Sequence, residues 1–191
     1  MSLVKKLNKS HPIVMGIDSN TNNIAFAIYK EKQLIHYGKV EFNKGDIYER
    51  IRSAGMISRA LANKWNIDYI AVEASVFVNS PQVAIKMAMC LGAIISGLMH
   101  SGKTEVIAIS PRAWQSYIGN KTYTKVMKQE VIDANPGKST SWISNHIRNT
   151  RKQFTIDFFN EMFKTNISDN DVSDACGIGW YAANETLTES S

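Results

Sequence analysis

Four acidic residues in this sequence stand where they could share a metal ion, and two of them end apolar stretches. Asp18 follows Ile13 to Ile17 and Glu73 follows Tyr69 to Val72, which are runs of the kind that form buried strands. An acid at the end of such a strand meets water at the sheet edge or is neutralised by a partner such as a metal ion. An Asp beside a turn is also a common cap of that turn, so Asp18 alone leaves both readings open.

The other two acids, Asp171 and Asp174, are three residues apart at the start of the last predicted helix, about Asn170 to Glu185. At that spacing both carboxylates share a helix face, and helix capping is the alternative for this pair. Four clustered carboxylates repel one another unless divalent cations neutralise them. Oxygen ligands without His or Cys nearby favour Mg²⁺ or Mn²⁺, and two such ions could clamp a phosphodiester during hydrolysis.

The elements that would position these acids follow the order β-β-β-α-β-α-β-α. The first three strands are joined by short turns and form an antiparallel meander, after which Asp46 caps a helix. The strand that follows, Asp68 to Glu73, is expected to run parallel to an earlier strand. Asp18 and Glu73 would then emerge at the edge where open α/β sheets bind ligands. With a fifth strand at Glu105 to Ile109, the prediction is an α/β fold with a five-stranded mixed sheet flanked by helices.

A long apolar helix is predicted from about Ser80 to His100. Ala88, Gly92 and Ser96 form a ridge of small residues along it, so another helix can approach closely. That second helix could belong to the same chain or to a second copy across a two-fold axis.

The positive charge of the chain is concentrated in one segment. The 191 residues carry a net charge of +5. Between Arg112 and Lys152 there are eight Lys or Arg residues and two acids. Such a segment is expected to bind a polyanion, with a solvated lysine-rich loop as the alternative. Tyr117, Tyr123 and Trp142 are interleaved with these charges, which suits base stacking together with phosphate contact.

The organisation expected from composition is one domain over residues 1–191, with a flexible basic lead-in at 1–12 and a basic insertion at 119–147. A helix from about Asn149 to Phe163 should follow the insertion. The longest apolar run, Met87 to Met99, is shorter than a bilayer requires, and the first residues lack the apolar core of a signal peptide. We therefore expect a cytoplasmic protein with no membrane partner.

Three motifs in this order resemble those of the RuvC-type Holliday junction resolvases, which belong to the RNase H-like superfamily. They are Gly16-Ile17-Asp18, Ile70-Ala71-Val72-Glu73 followed by Val76-Phe77, and the run from Asp171 to Gly179. The resemblance covers about residues 13–118 and 148–184. It implies an RNase H-like fold and a homodimeric, metal-dependent endonuclease that nicks opposing strands of a four-way DNA junction symmetrically, in recombination, repair or replication. It also implies that the four acids are the catalytic, metal-binding tetrad: Asp18, Glu73, Asp171 and Asp174.

The resemblance further implies where DNA is contacted. Phe77 lies near the family's aromatic residue that probes the junction centre, and Arg112 matches an arginine after the fifth strand. Arg151 or Lys152 matches a basic residue of the helix that follows. Three lysines of the basic insertion are additional candidates: Lys121, Lys125 and Lys128.

The sequence also departs from the family pattern. Gln115 stands in place of a lysine, and the segment 119–147 has no counterpart that can be placed. These departures indicate a divergent branch of the family. We expect a viral protein that acts in the host cytoplasm, or an organellar protein. Two alternatives stay open: an RNase H-like nuclease that cuts RNA in hybrids, and a junction-binding module without metal-dependent chemistry. A sugar-kinase-like protein would need glycine-rich phosphate loops and a longer chain.

Overall fold

The computed structural model of the protein describes residues 11–74, 80–102 and 104–185. Most of the predicted basic lead-in and the aromatic residue Phe77 lie outside the described residues. Within those residues the chain forms one mixed sheet. Its strands are β1 Ile13–Ser19, β2 Asn23–Lys30, β3 Gln33–Glu41, β4 Tyr69–Glu73 and β5 Glu105–Ile109.

The order of strands across the sheet is β3-β2-β1-β4-β5. The first three strands pair antiparallel, which confirms the predicted meander. The pairs β1–β4 and β4–β5 are parallel, with Ile17 of β1 opposite Val72 of β4. The last residues of β1 and β4 therefore leave the sheet at the same edge, as the positions of Asp18 and Glu73 predict.

Six helices accompany the sheet in the described part of the chain. They are α1 Ile47–Trp65, α2 Pro81–Leu98, α3 Pro111–Tyr117, α4 Lys125–Asp133, α5 Thr140–Phe163 and α6 Asn170–Glu185. Asp46 caps α1 in a capping box with Glu49, as predicted from its position.

The start of α5 differs from the sequence prediction. This helix begins at Thr140, not near Asn149, because the Ser139 side chain caps it by accepting a hydrogen bond from the Trp142 backbone N–H. The segment 119–147 thus contains α4 and the first turns of α5, separated by the predicted break at Asn135-Pro136-Gly137.

Alternate side chains of the strands enter two cores on opposite faces of the sheet. On one face, Val14 and Tyr29 pack with α3, α5 and α6. On the other, Met15 and Ile28 pack with α1 and α2. The cores place α6 against β1 and β2, and this packing positions the second pair of acids.

The small-residue ridge of α2 does not pack against α1. The close approach of these helices occurs at Gly97, where a Cβ would collide with the backbone of Gly55. Ala88, Gly92 and Ser96 are exposed, and a Cβ on Gly92 would meet no atom within 4 Å. The described chain therefore leaves this ridge without a partner.

By length and composition alone, α2 could cross a membrane. Its 18 residues have a mean hydropathy of 1.5, and only 17% of these residues are buried. The run Met87 to Met99 is shorter than a bilayer requires, but most of it belongs to this longer apolar helix. One such helix is weak evidence for a membrane span, but it does identify an exposed apolar surface.

Candidate active site

Asp18 and Asp174 approach each other because α6 lies directly on β1. A Cβ on Gly16 would overlap the backbone of Ala175 and Gly179, so only glycine permits this approach. The buried Tyr29 hydroxyl donates to the Cys176 carbonyl at 2.9 Å and ties the same turn of α6 to β2. The glycines of the first and third motifs are thus packing residues that bring two acids together.

Glu73 joins the same edge from β4 and is oriented by a buried tryptophan. The Trp114 indole N–H donates to Glu73 Oε1 at 3.1 Å. Burial raises the pKa of Glu73, and the hydrogen bond from Trp114 opposes part of that rise. Asp18 and Glu73 border a cavity of about 300 Å³ between the sheet edge and α2, whose other walls include Met87 and Leu91.

The carboxyl groups of Asp18 and Asp174 are in surroundings that disfavour their charge. Burial, followed by repulsion from Asp174, Asp171 and Glu73, raises the pKa of Asp18 to about 8, although Lys39 acts against the rise. Burial and repulsion from Glu73 raise the pKa of Asp174 to about 7. Without a cation, these acids therefore retain protons near neutral pH.

Asp171 is held by a lysine that the sequence did not single out. Lys39 Nζ, on β3, lies 2.7 Å from Asp171 Oδ2 and 2.9 Å from Asp169 Oδ2. Burial lowers the pKa of Lys39, but its two carboxylate partners outweigh burial and raise that pKa overall. No local pattern marks Lys39, because its partners are 130 and 132 residues away along the chain.

Asp169 is the residue that caps α6. Its Oδ1 accepts hydrogen bonds from the backbone N–H groups of Asp171 and Val172, at 2.9 and 3.2 Å. Asp171 lies in the first turn, whereas Asp174, five residues into the helix, lies beyond it. Helix capping, which was the alternative role for Asp171 and Asp174, is therefore performed by Asp169 directly before the helix.

The donor chemistry of this edge fits a hard divalent cation. Asp18, Glu73 and Asp174 offer carboxylate oxygens, and no described residue forms an ion pair with any of them. Among residues 11–74, 80–102 and 104–185, however, no three acidic, His or Cys side chains form a ready metal-binding group. The side chain of Asp171 is engaged with Lys39 instead.

The predicted DNA-contacting residues fall into two sets in the described part of the chain. Lys128, Arg151 and Lys152 line one cavity of about 410 Å³, which Asp174 also borders. The other set, which is exposed and does not line that cavity, consists of Arg112, Lys121 and Lys125. Arg148, which the sequence analysis did not select, lies on the same cavity wall.

The fold and the arrangement of acids define the class of protein: an RNase H-like α/β fold with carboxylates at the carboxyl edge of its parallel strands. No family model matches the sequence. No curated protein matches it either.

Comparison with solved structures identifies the form of the fold. RuvC of Thermus thermophilus, in complex with a Holliday junction substrate, superposes with a TM-score of 0.62 at 14% identity, covering 88% of this chain and 91% of that one. Another structure of the same protein gives a TM-score of 0.59 at 14% identity, with coverage of 88% and 92%. The yeast mitochondrial Holliday junction resolvase Ydc2 gives 0.50 at 16% identity, with coverage of 94% and 82%. The chain therefore has a RuvC-like fold, as its motifs predict.

Proposed function

We propose that this protein is a metal-dependent endodeoxyribonuclease that resolves four-way DNA junctions by nicking two opposing strands. The observation that carries the proposal is the convergence of Asp18, Glu73 and Asp174 at one sheet edge, between an apolar and a cationic cavity. The structural neighbours support the choice of substrate, since one holds a Holliday junction and another is a junction resolvase.

The proposed ligands of Mg²⁺ or Mn²⁺ are Asp18, Glu73 and Asp174, with Asp171 as the fourth acid of the tetrad. Two bound ions would supply an activated water and stabilise the departing oxygen of the phosphodiester. Trp114 keeps Glu73 turned toward the sheet edge through its indole N–H. Asp18 and Asp174 must lose their protons before they can serve as ligands, so loading should be coupled to proton release.

The proposed partner protein is a second copy of the chain, bound through the exposed ridge of α2. Ala88, Gly92 and Ser96 would let two symmetry-related helices approach closely, while exposed Ile85 and Met89 would be buried beside them. A two-fold axis at this helix would present two acidic sites to a substrate that has two-fold symmetry itself.

The deciding experiment is incubation of a synthetic immobile four-way DNA junction with the protein and Mg²⁺, Mn²⁺ or a chelator. Linear duplex and a DNA/RNA hybrid serve as competing substrates. We expect paired nicks in opposing junction strands, abolished by chelator and by Asp18→Asn. Asp157→Asn, an exposed acid on α5, is the matched control and should nick like the wild type.

Two other outcomes would replace the proposal. Preferential cutting of the RNA strand in the hybrid would make the protein a different RNase H-like nuclease. Tight binding of the junction without nicking, with either metal, would make it a junction-binding module.

A further inference from the structure

The cavity of about 410 Å³ beside Asp174 has an excess of positive charge. It lies between α3, α4 and α5, and Lys128, Arg148, Arg151 and Lys152 line it. Asp174 is the only acid among the described residues that line it. Four cations around one small space repel one another unless an anion enters.

Arg151 is fixed in this cavity by neutral partners. Its Nε donates to Asn120 Oδ1 at 3.1 Å, and one terminal nitrogen donates to Gln115 Oε1 at 2.7 Å and to the Asn120 carbonyl at 3.1 Å. Asn120 is buried and donates in return to the Arg151 carbonyl at 2.8 Å and to Thr155 Oγ1 at 2.9 Å. Amide oxygens orient the guanidinium without cancelling its charge, so a charged donor is already ordered before any ligand binds.

The other three cations are not neutralised within the described residues. None of Lys128, Arg148 and Lys152 forms an ion pair with a described acid. Lys128 and Arg148 are exposed at the rim, whereas Lys152 is half-buried near Asp174 and lowers the pKa of that acid. A ligand in this cavity would therefore contact cations at the rim and a fixed guanidinium inside.

We propose that this cavity binds a backbone phosphate of the DNA strand being cut, next to the phosphate at the acidic edge. Arg151 is the ordered donor, and Arg148 and Lys128 close on the phosphate from the α4–α5 side. Tyr123 borders the cavity and can lie against the adjoining sugar or base. The choice of DNA as the ligand rests on the proposed function, but binding in the cavity requires no cleavage and can be measured without metal.

The test replaces Arg148, because this exposed residue is not needed to hold the cavity together. Binding of a fluorescein-labelled thymidine oligonucleotide of about 12 nucleotides is followed by fluorescence anisotropy in chelator, over a series of salt concentrations. For Arg148→Gln we expect affinity to fall about tenfold and the slope of log K against log salt to decrease by about 0.7, the value for one lost phosphate contact on a single strand. Arg59→Gln, which removes the same charge from an exposed position on α1, is the control and should change neither quantity.

The position of the phosphate is found with neutral methylphosphonate substitutions placed one at a time along a junction strand. In the wild type, one substitution within about two nucleotides of the nicked bond should weaken binding, and in Arg148→Gln that same substitution should have no further effect. Equal losses for Arg148→Gln and Arg59→Gln, or no strand binding by the wild type, would overturn the inference.

Failure of the inference and failure of the proposed function give different results. If the wild type never nicks junctions but Arg148→Gln selectively loses affinity for the single strand, the phosphate site is supported and the nuclease proposal is rejected. If junctions are nicked but the Arg148→Gln variant binds like the wild type, the nuclease proposal stands and the cavity is not a phosphate site.

Discussion

Lys39 supplies a permanent positive charge to the proposed metal site. Its ammonium group lies between Asp169, which caps α6, and Asp171, which belongs to the proposed tetrad. Because the lysine side chain is 24% exposed and the two acids somewhat more, solvent screens these pairs in part. Its main effect should therefore be to set where the Asp171 carboxylate points.

Replacing Lys39 by methionine should destabilise the protein by about 1–2 kcal/mol, since two neighbouring carboxylates lose their common donor. Thermal unfolding in chelator measures this loss. Adding Mg²⁺ should raise the melting temperature more in Lys39→Met than in the wild type, because the freed Asp171 can join the metal. Lys39→Arg keeps the charge and should behave like the wild type; an equal Mg²⁺ effect in all three proteins would remove Lys39 from the site.

The buried acids predict an unusual dependence of stability on pH. In the unfolded chain Asp18 ionises near its ordinary pKa of 3.8, whereas in the folded chain it keeps its proton to about 8. The folded form thus binds more protons between these values, so stability falls as pH rises and the contribution is fully lost above the folded pKa. Asp174 adds to the same trend up to about pH 7.

The Asp18→Asn variant tests this trend because it keeps the shape of the protonated acid and cannot ionise. In chelator, its melting temperature should exceed that of the wild type above about pH 8 and should depend less on pH. Asp157→Asn should follow the wild type at every pH. A wild-type melting temperature that rises between about pH 6 and 9 would contradict the pKa assigned to Asp18.

The seating of α6 on the sheet determines whether the site forms, and Gly177 is the position that tests it. A Cβ at Gly177 would overlap the ring of Trp114, the residue that donates to Glu73. We expect Gly177→Ala to cost about 1–3 kcal/mol in the free energy of unfolding and to weaken metal binding by shifting Glu73. Denaturant unfolding and Mn²⁺ titration measure the two effects.

Gly55→Ala in α1 is the control for this change. A Cβ at Gly55 would meet only the Ala93 carbonyl oxygen, in ordinary contact at 3.6 Å, so the same substitution should stabilise its helix by about 0.5–1 kcal/mol. Loss of stability in both variants would show that helix glycines matter here for a reason other than contact with Trp114.

Local signals account for the elements that the sequence predicted well. The apolar runs before Asp18 and Glu73 mark strands, and Asp46 marks a helix start, because each depends on neighbouring residues only. The early start of α5 was missed since its first turns bury few apolar side chains and leave little periodicity. The contacts of Lys39 and Arg151 cannot be predicted from local sequence patterns, because they join residues that are far apart in the chain.

At the scale of the whole molecule, the apolar face of α2 is exposed and has no covering within the described chain. The covering that we propose is a second copy of the chain, because the proposed resolution reaction needs two cuts related by symmetry. A monomer could hold one acidic edge against DNA, but it would have no means of coordinating the second cut with the first.

Gly92→Leu should separate single nicking by a monomer from the paired nicking that we assign to the dimer. The monomer has room for the new side chain, so the variant should fold, while the leucine should hold two α2 helices apart. We expect light scattering to give half the wild-type mass. On a supercoiled plasmid carrying a cruciform, we expect open circles from single nicks, where the wild type gives linear product. Ala60→Leu, on the exposed surface of α1, should keep both the mass and the paired cuts. If Gly92→Leu retains the wild-type mass and linear product, α2 is not the interface and its apolar face has another occupant.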